Sequence, residues 1–421
     1  MVQWLVYSAG FFGLFLVNNT LLTMLLFRYD PSTDTELPLL IPSIFVGIAI
    51  FVTRCGGALT QPFVGYLSDR VQSRWGRRRP FLAASALPLA SSFVMLFVPP
   101  HLSHPATYTA YLVALLCLFF LMVAAYQVPY LAWLPEIAPT SEQRIRLSTL
   151  LALASLLGTA SGGIGAPWLT DRYGFLPMAL VLGATGLIAL MLPVTLNEDS
   201  AKKQSQPSIT SFWDSVRTGW CNFPFRIYLA GIMSAWIAVS MLTVCSTFLA
   251  VALLHQKIGF GAVINGLVLV GATGGFTLVR PLVKQCGKRR TFQLSMMWSG
   301  GGMVAIALLP FLTGAALLPW LSLLAIASVG LAGFFILPNA MLPDAVRHGS
   351  ALQADGQGAL YFGLRGLLVE ASIGLGALLS GLLLILGKTP AQPWGLHLAL
   401  IAAGGFSLLS AWTFSFYSIR E

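Results

Sequence analysis

Long stretches without a charged side chain constrain this sequence more than any other feature. The longest, 80–135, contains 56 residues without Asp, Glu, Lys or Arg. A helix needs about 20 apolar residues to cross the hydrocarbon core of a bilayer. Of the 421 residues, 57% are hydrophobic and 9% are charged, whereas soluble domains carry roughly 25% charged residues. An ordinary soluble enzyme is therefore excluded.

The charge-free runs and their breaks predict twelve membrane-spanning helices, which we number spans 1–12. Prolines and histidines around 99–105 divide the longest run into two spans. Charged residues lie inside two predicted spans: Arg54 in span 2, and Arg365 and Glu370 in span 11. The predicted fold is an all-α membrane protein with twelve transmembrane helices in two six-helix bundles.

The distribution of basic residues predicts the orientation. With both termini in the cytoplasm, the inner loops and the C-terminus hold 18 of the 24 Lys and Arg residues, and the outer loops hold four. Cytoplasmic loops of membrane proteins are enriched in Lys and Arg. The net charge of +10 therefore reflects topology, and a nucleic-acid partner is not expected. We expect a multi-pass protein of the bacterial inner membrane.

Two short motifs recur along the chain and predict a parallel duplication. Gly76 to Arg79 follows span 2, and Gly287 to Arg290 follows span 8, 211 residues later. Leu134-Pro135-Glu136 ends span 4, and Leu342-Pro343-Asp344 ends span 10, 208 residues later. The predicted organisation is an N-terminal bundle (1–196), a cytoplasmic linker (197–224) and a C-terminal bundle (225–421).

The most specific motif lies between spans 2 and 3 and has the form QPFVGYLSDRVQSRWGRRRPF, residues 61–81. It is similar to the loop signature of the major facilitator superfamily, and most similar to the glycoside–pentoside–hexuronide group of melibiose and sucrose carriers. The resemblance implies a secondary sugar transporter, often coupled to protons or sodium. The basic cluster of this motif can pair with the opposing half and stabilise one of the two access states, which predicts a gating loop. A plain positive-inside anchor is the alternative. The motif residues assigned to this loop are Gly65, Asp69, Arg70, Gly76, Arg77 and Arg78.

The chain departs from that group at the cation site. Melibiose-type carriers hold their cation with carboxylates, and the matching positions here are Asn18 or Asn19, Gly57, Gln61 and Gln127. The stretch 120–125, where sucrose carriers place an acidic residue, has none. A sodium ion prefers hard oxygen ligands with negative charge. Sodium coupling is therefore not expected.

The remaining ionisable groups at membrane depth suggest a different coupling pair. Charged residues inside a membrane tend to face a cavity or a partner. Arg54 matches an arginine of the melibiose-type group, and spans 2 and 11 are neighbours in that architecture. Arg54 and Glu370 are therefore predicted to act in coupling, with Glu370 as the proton carrier. A purely structural ion pair is the alternative.

Polar and aromatic residues in the spans are the candidate substrate ligands. Sugar sites combine hydrogen-bonding groups with aromatic platforms, because a buried hydroxyl needs partners. Packing against helices or lipid is the alternative role, above all for the aromatic residues. The predicted substrate-binding residues are Asn18, Asn19, Gln61, Tyr126, Gln127, Trp236 and Tyr361.

No enzyme is predicted. The sequence lacks a phosphate-binding glycine-rich loop, a metal-binding histidine motif and any CxxC pair, so neither a cofactor nor a metal is expected. The expected partners are a small-molecule substrate, membrane lipid and protons. The protein is expected to be a monomer. Two alternatives stay open: a carrier of lysolipids or other amphipathic molecules on the same fold, and a membrane assembly factor that does not transport.

Overall fold

The computed structural model describes residues 2–32, 37–71, 73–101, 104–196, 223–313, 316–349 and 358–417. In the first half, α1–α6 are Val2–Tyr29, Ser43–Arg70, Arg79–Phe97, Pro105–Ile137, Ser141–Tyr173 and Phe175–Met191. A short 3₁₀ turn, Leu192–Thr195, follows α6.

In the second half, α7–α12 are Phe223–Phe248, Phe260–Thr313, Leu317–Ser328, Leu331–Gly349, Gly358–Leu384 and Trp394–Thr413. A π turn, Leu249–Leu253, follows α7, and a 3₁₀ turn, Phe414–Phe416, follows α12. Span 10 consists of α9 and α10.

Helix boundaries follow local chemistry. Thr140 caps the start of α5 with a capping box. The Thr140 hydroxyl accepts a hydrogen bond from the backbone N–H of Gln143 at 3.3 Å, and the Gln143 side chain accepts one from the backbone N–H of Thr140. Gly174 ends α5 at φ 87°, a left-handed conformation that favours glycine.

Eleven of the described helical segments are long and apolar enough to cross a membrane. One of them, α8, is two helices joined at Gly287, whose φ is 77°. Counted as spans 8 and 9, these two helices bring the described part of the chain to twelve spans. The prediction of an all-helical, multi-span membrane protein is confirmed. Gly76, which begins the corresponding motif in the first half, also has a positive φ, 95°.

The chain forms two compact units. The first comprises Met1–Gln204 with Ser246–Val251 and Gln256–Val263, and the second comprises the remainder. The end of α7 therefore groups with the first unit, where Phe248 packs edge-on against Phe27 at 5.0 Å between ring centroids.

Hydrogen bonds inside the first unit recur between the corresponding helices of the second unit. The Tyr7 hydroxyl donates to the carbonyl of Tyr130 in the first unit, and the Tyr228 hydroxyl donates to the carbonyl of Pro338 in the second. Pro338 lies 208 residues after Tyr130, the offset of the Leu-Pro-acid motif. Span 7 thus contacts span 10 as span 1 contacts span 4.

Close helix approaches repeat in the same way. A Cβ on Gly162 would lie 2.6 Å from the carbonyl oxygen of Leu16, and a Cβ on Gly376 would lie 2.8 Å from that of Ile237. Small residues at such crossings let membrane helices pack closely. These matched contacts support the duplication that the short motifs predict.

Candidate functional site

The first unit holds a buried arginine near the middle of its spans. Arg54 of α2 is 2% exposed. It donates from Nη2 to Asn18 Oδ1 at 2.5 Å. Its guanidinium also lies 4.8 Å from the ring centroid of Phe120, a cation–π contact that is strengthened away from water. The structure therefore brings together two of the predicted site residues, Asn18 and Arg54, and adds Phe120.

Glycine brings α2 and α4 together beside this arginine. A Cβ on Gly57 would lie 2.7 Å from Phe120 Cβ, so a larger residue would push Phe120 away from Arg54. Gly65, the first glycine of the motif in residues 61–81, also faces α4. There an added Cβ would be 3.5 Å from Val128, which is an ordinary contact distance. The tight crossing is thus at Gly57, a position that the resemblance to melibiose-type carriers matches with a carboxylate.

Asn19 joins two helices. Its Nδ2 donates to the carbonyl of Thr159 in α5 at 2.9 Å. In the second unit, the Ser240 hydroxyl donates to the carbonyl of Ile373 at 2.7 Å. Ser240 lies 221 residues after Asn19, which is also the offset between Tyr7 and Tyr228. Ile373 lies 214 residues after Thr159, which is also the offset between Gly162 and Gly376. The amide of Asn19 therefore has a helix-bridging role that Ser240 repeats.

The other polar candidates of the first unit differ in exposure. Gln61 in α2 and Gln127 in α4 are both partly buried. Tyr126 is 0% exposed, and its hydroxyl donates to the carbonyl of Leu190 at 2.8 Å. Tyr126 thus packs inside the unit in this conformation, whereas the two glutamines keep some accessible surface.

In the second unit, the aromatic candidate Trp236 is partly buried and meets Phe334 edge-on, with 4.9 Å between ring centroids. Arg365 lies near the hydroxyl of Tyr228. Glu370 is partly buried. The backbone of Tyr361 is helical in α11, and its side chain lies outside the described ones. Arg54 and Glu370 belong to different units, so their pairing stays a prediction.

The predicted gating loop begins at the end of α2. Arg70 is exposed, and its guanidinium lies 4.1 Å from the ring centroid of Tyr66. Asp69 is in the last turn of α2, and its side chain lies outside the described ones. Gly76 is buried at a φ of 95°, so the turn into α3 depends on a residue without a Cβ.

The arginines of this loop bind within their own unit. Arg78 is 3% exposed and pairs through Nη2 with Glu136 Oε1 at 2.9 Å. Arg77 reaches the same oxygen at 3.3 Å. Arg79 donates from Nε to the carbonyl of Val194 at 2.8 Å. These described contacts tie α3 to the ends of α4 and α6. The pairing of the cluster with the opposing half stays a prediction.

The sequence did not single out an aromatic cluster between α1 and α4. Tyr7 and Tyr130 stack with 4.2 Å between centroids and an interplanar angle of 2°. Each hydroxyl donates to the other residue's carbonyl at 2.5 Å. Trp133 meets Tyr7 edge-on at 6.1 Å. Tyrosines at i and i+4 in span 4, at 126 and 130, were the available signal.

Among the described residues, no group of three or more His, Cys, Asp or Glu side chains could hold a metal ion.

Comparison with known proteins identifies the family. The model of the family described as MFS/sugar transport protein matches residues 6–421. The chain belongs to the major facilitator superfamily. It is an integral multi-pass membrane protein of a family of transporters, as the motif of residues 61–81 predicts.

Three relatives are named transporters or carriers. The chain is 26% identical over 321 residues to a glucuronide carrier protein homolog of Escherichia coli K12, covering 73% of this chain and 67% of that one. It is 23% identical to an isoprimeverose transporter of Lactiplantibacillus pentosus, covering 70% and 63%. It is 27% identical to a lysophospholipid transporter of Klebsiella pneumoniae, covering 69% of each. The chain spans 28%, 48% and 63% of the first three curated relatives that it matches.

Solved transporter structures share the fold. The crystal structure of the nucleoside transporter NupG superposes with a TM-score of 0.70 at 15% identity, covering 100% of both chains. A bacterial homologue of the iron transporter ferroportin superposes with a TM-score of 0.63 at 16% identity. At such identities the likeness concerns the fold alone.

Proposed function

We propose that this protein is a secondary transporter that moves a small sugar or glycoside by alternating access. The observation that carries the proposal is the set of matched contacts inside the two units, above all Tyr7 to Tyr130 and Tyr228 to Pro338. Parallel repeats of this kind are the build of major facilitator carriers, which rock one half against the other around a midplane site.

The chemistry of the first unit supports a hydroxyl-rich cargo. Arg54 and Asn18 place charged and amide groups at mid-span, and Phe120 adds an aromatic face beside them. Gln61 and Gln127, on the same two helices as Arg54 and Phe120, are partly buried. Sugar hydroxyls both donate and accept, so amides and a guanidinium are suitable partners. The relatives named as glucuronide and isoprimeverose carriers agree with this class.

Coupling in this proposal uses protons and not sodium. The positions that hold carboxylates in melibiose-type carriers are occupied by Asn18, Gly57, Gln61 and Gln127, and neutral oxygens alone bind sodium weakly. Glu370 is the carboxylate that α11 carries in its interior. We assign it the proton, and we assign the loop residues Asp69 and Arg70 to the change of access state.

Uptake into proteoliposomes tests the coupling. A pH gradient, acidic outside, should drive accumulation of the transported glycoside, and a sodium gradient should not. Glu370→Gln should abolish accumulation while keeping downhill exchange. Glu142→Gln is the matched control, because Glu142 is an exposed carboxylate paired with Arg146 four residues away.

Accumulation driven by sodium would overturn the coupling proposal. pH-driven accumulation that survives Glu370→Gln would overturn the assignment to this residue.

A lysophospholipid carrier is the second candidate. It is favoured by one observation: the match to the relative named as a lysophospholipid transporter covers 69% of each chain. The matches to the first two curated relatives cover at most 54% of this chain and 48% of the relative. Including a labelled lysophospholipid in the same uptake assay separates the two candidates.

A further inference from the structure

Two adjacent residues at the end of α1 carry buried polar atoms that lack a hydrogen-bond partner. These atoms are Arg28 Nη1 and the Tyr29 hydroxyl, and neither has a partner among the described residues. The side chain of Tyr29 is 0% exposed. In proteins, buried polar atoms of this kind are nearly always satisfied, and an exception calls for an explanation such as a bound ion or ligand.

The guanidinium of Arg28 is held in place from two sides. Its Nε donates to the carbonyl of Phe97, at the end of α3, at 3.0 Å. Its central carbon lies 5.1 Å from the ring centroid of Phe175, at the start of α6. Both contacts leave Nη1 uncommitted. A fixed guanidinium with a free N–H is ready to bind an acceptor without losing further side-chain freedom.

Tyrosine hydroxyls lie near this guanidinium. Its main electrostatic neighbours are Tyr29 and Tyr108. The nearby carboxylate of Asp30 accepts from the Ser43 backbone N–H at 2.6 Å, at the start of α2. The Ser43 hydroxyl is a further buried polar atom without a partner in the described residues. Arg28 Nη1 and the hydroxyls of Tyr29 and Ser43 are therefore three buried groups that can donate a hydrogen bond at this end of the first unit.

We propose that Arg28 and Tyr29 form a binding site for a phosphate-class anion at the end of the first unit away from the Gly76–Arg79 loop. Arginine recognises phosphate through two parallel N–H···O bonds, and a tyrosine hydroxyl donates a third. The site lies where α1 and α3 end and α4 and α6 begin, which is the depth of the lipid headgroups. The anion is the phosphate of a lipid or free phosphate.

Lipid and phosphate binding to the purified full chain tests the site. The probes are phosphatidylglycerol, measured by native mass spectrometry, and inorganic phosphate, measured by thermal stabilisation. We expect the Kd for the bound probe to rise at least tenfold in Arg28→Gln and several-fold in Tyr29→Phe. Arg172→Gln is the matched control, because Arg172 is an exposed arginine at the same end; its Kd should stay within twofold of wild type.

Binding of either probe with this pattern supports the proposal, and the probe that binds identifies the source of the phosphate. Where Arg28→Gln does not fold, Arg28→Lys replaces it: the charge remains, the two-pronged geometry is lost, and we expect several-fold weaker binding. Absence of binding by both probes in wild type overturns the proposal. An equal loss in Arg172→Gln, or none in either Arg28 variant, also overturns it. The site is independent of the cargo, so failure of the sugar proposal leaves this test unchanged.

Discussion

Arg78→Ala should destabilise the first unit far more than Arg77→Ala, although both arginines reach the same carboxylate. Arg78 is buried at 2.9 Å from Glu136, and its Nη1 also donates to the carbonyl of Pro129 at 3.4 Å. The side chain of Arg77 is 35% exposed at 3.3 Å. Losing one partner of a buried pair costs about 3–5 kcal/mol. Because the Glu136 side chain is 15% exposed and keeps Arg77, we expect about 2–3 kcal/mol here.

The exposed partner contributes much less. Partly exposed ion pairs stabilise proteins by about 0.2–1 kcal/mol, so Arg77→Ala should lower the free energy of unfolding by that amount. For a unit of about 200 residues, each kcal/mol corresponds to about 2–4 °C. The expected fall in the midpoint is therefore about 4–12 °C for Arg78→Ala and under about 4 °C for Arg77→Ala.

Thermal unfolding in detergent, followed by tryptophan fluorescence, measures both variants. A double-mutant cycle with Glu136→Gln isolates the pair, and the coupling of Arg78 with Glu136 should reach about 1–3 kcal/mol. The reasoning is refuted if Arg77→Ala lowers the midpoint as much as Arg78→Ala does. It is also refuted if Glu136→Gln costs as much in the Arg78→Ala background as in wild type.

Three further predictions use other features of the chain. Gly287→Ala should lower the unfolding midpoint, because an L residue at φ 77° costs about 1 kcal/mol or more. Gly301→Ala should leave the midpoint unchanged, because the added Cβ would meet nothing within 4 Å. Equal midpoints for the two variants would contradict this prediction. Asn19→Ala should lower the free energy of unfolding by about 1 kcal/mol. If the amide bridges helices as Ser240 does, Asn19→Ser should recover part of this loss. An Asn19→Ala variant that loses substrate affinity at unchanged stability would assign the amide to the cargo. A cysteine at Ser205 should resist an impermeant label applied outside intact cells, because the distribution of basic residues predicts that this segment is cytoplasmic. Efficient labelling would reverse the predicted orientation.

The membrane-spanning fold could be read from the sequence because the bilayer imposes it. Charge-free runs such as 80–135 have no other stable location, and backbone groups in lipid must be satisfied within helices. The two repeated motifs also gave the correspondence between the halves. The offset of 208 residues between Leu134 and Leu342 is the one that relates Tyr130 to Pro338 in the structure.

The partners of the polar residues were harder to predict, because they depend on which helices touch. The sequence marked Arg78 and Glu136 in separate motifs, but nothing in it states that they meet 2.9 Å apart. The sequence predicts that Asn19 binds cargo, and it does not indicate that the amide of Asn19 also bridges to Thr159. Aligning the halves would have suggested this role, because Ser240 occupies the equivalent position in span 7.

Counterflow in proteoliposomes tests the central claim most directly. Vesicles that contain the protein are loaded with an unlabelled glycoside, such as a glucuronide or a pentoside, and diluted into a trace of the labelled compound. A carrier that exposes its site to one side at a time exchanges the two, so the label should rise transiently above its equilibrium level. We expect this overshoot with at least one glycoside and none with labelled lysophospholipid. Entry of the label without an overshoot, or counterflow with lysophospholipid alone, would contradict it.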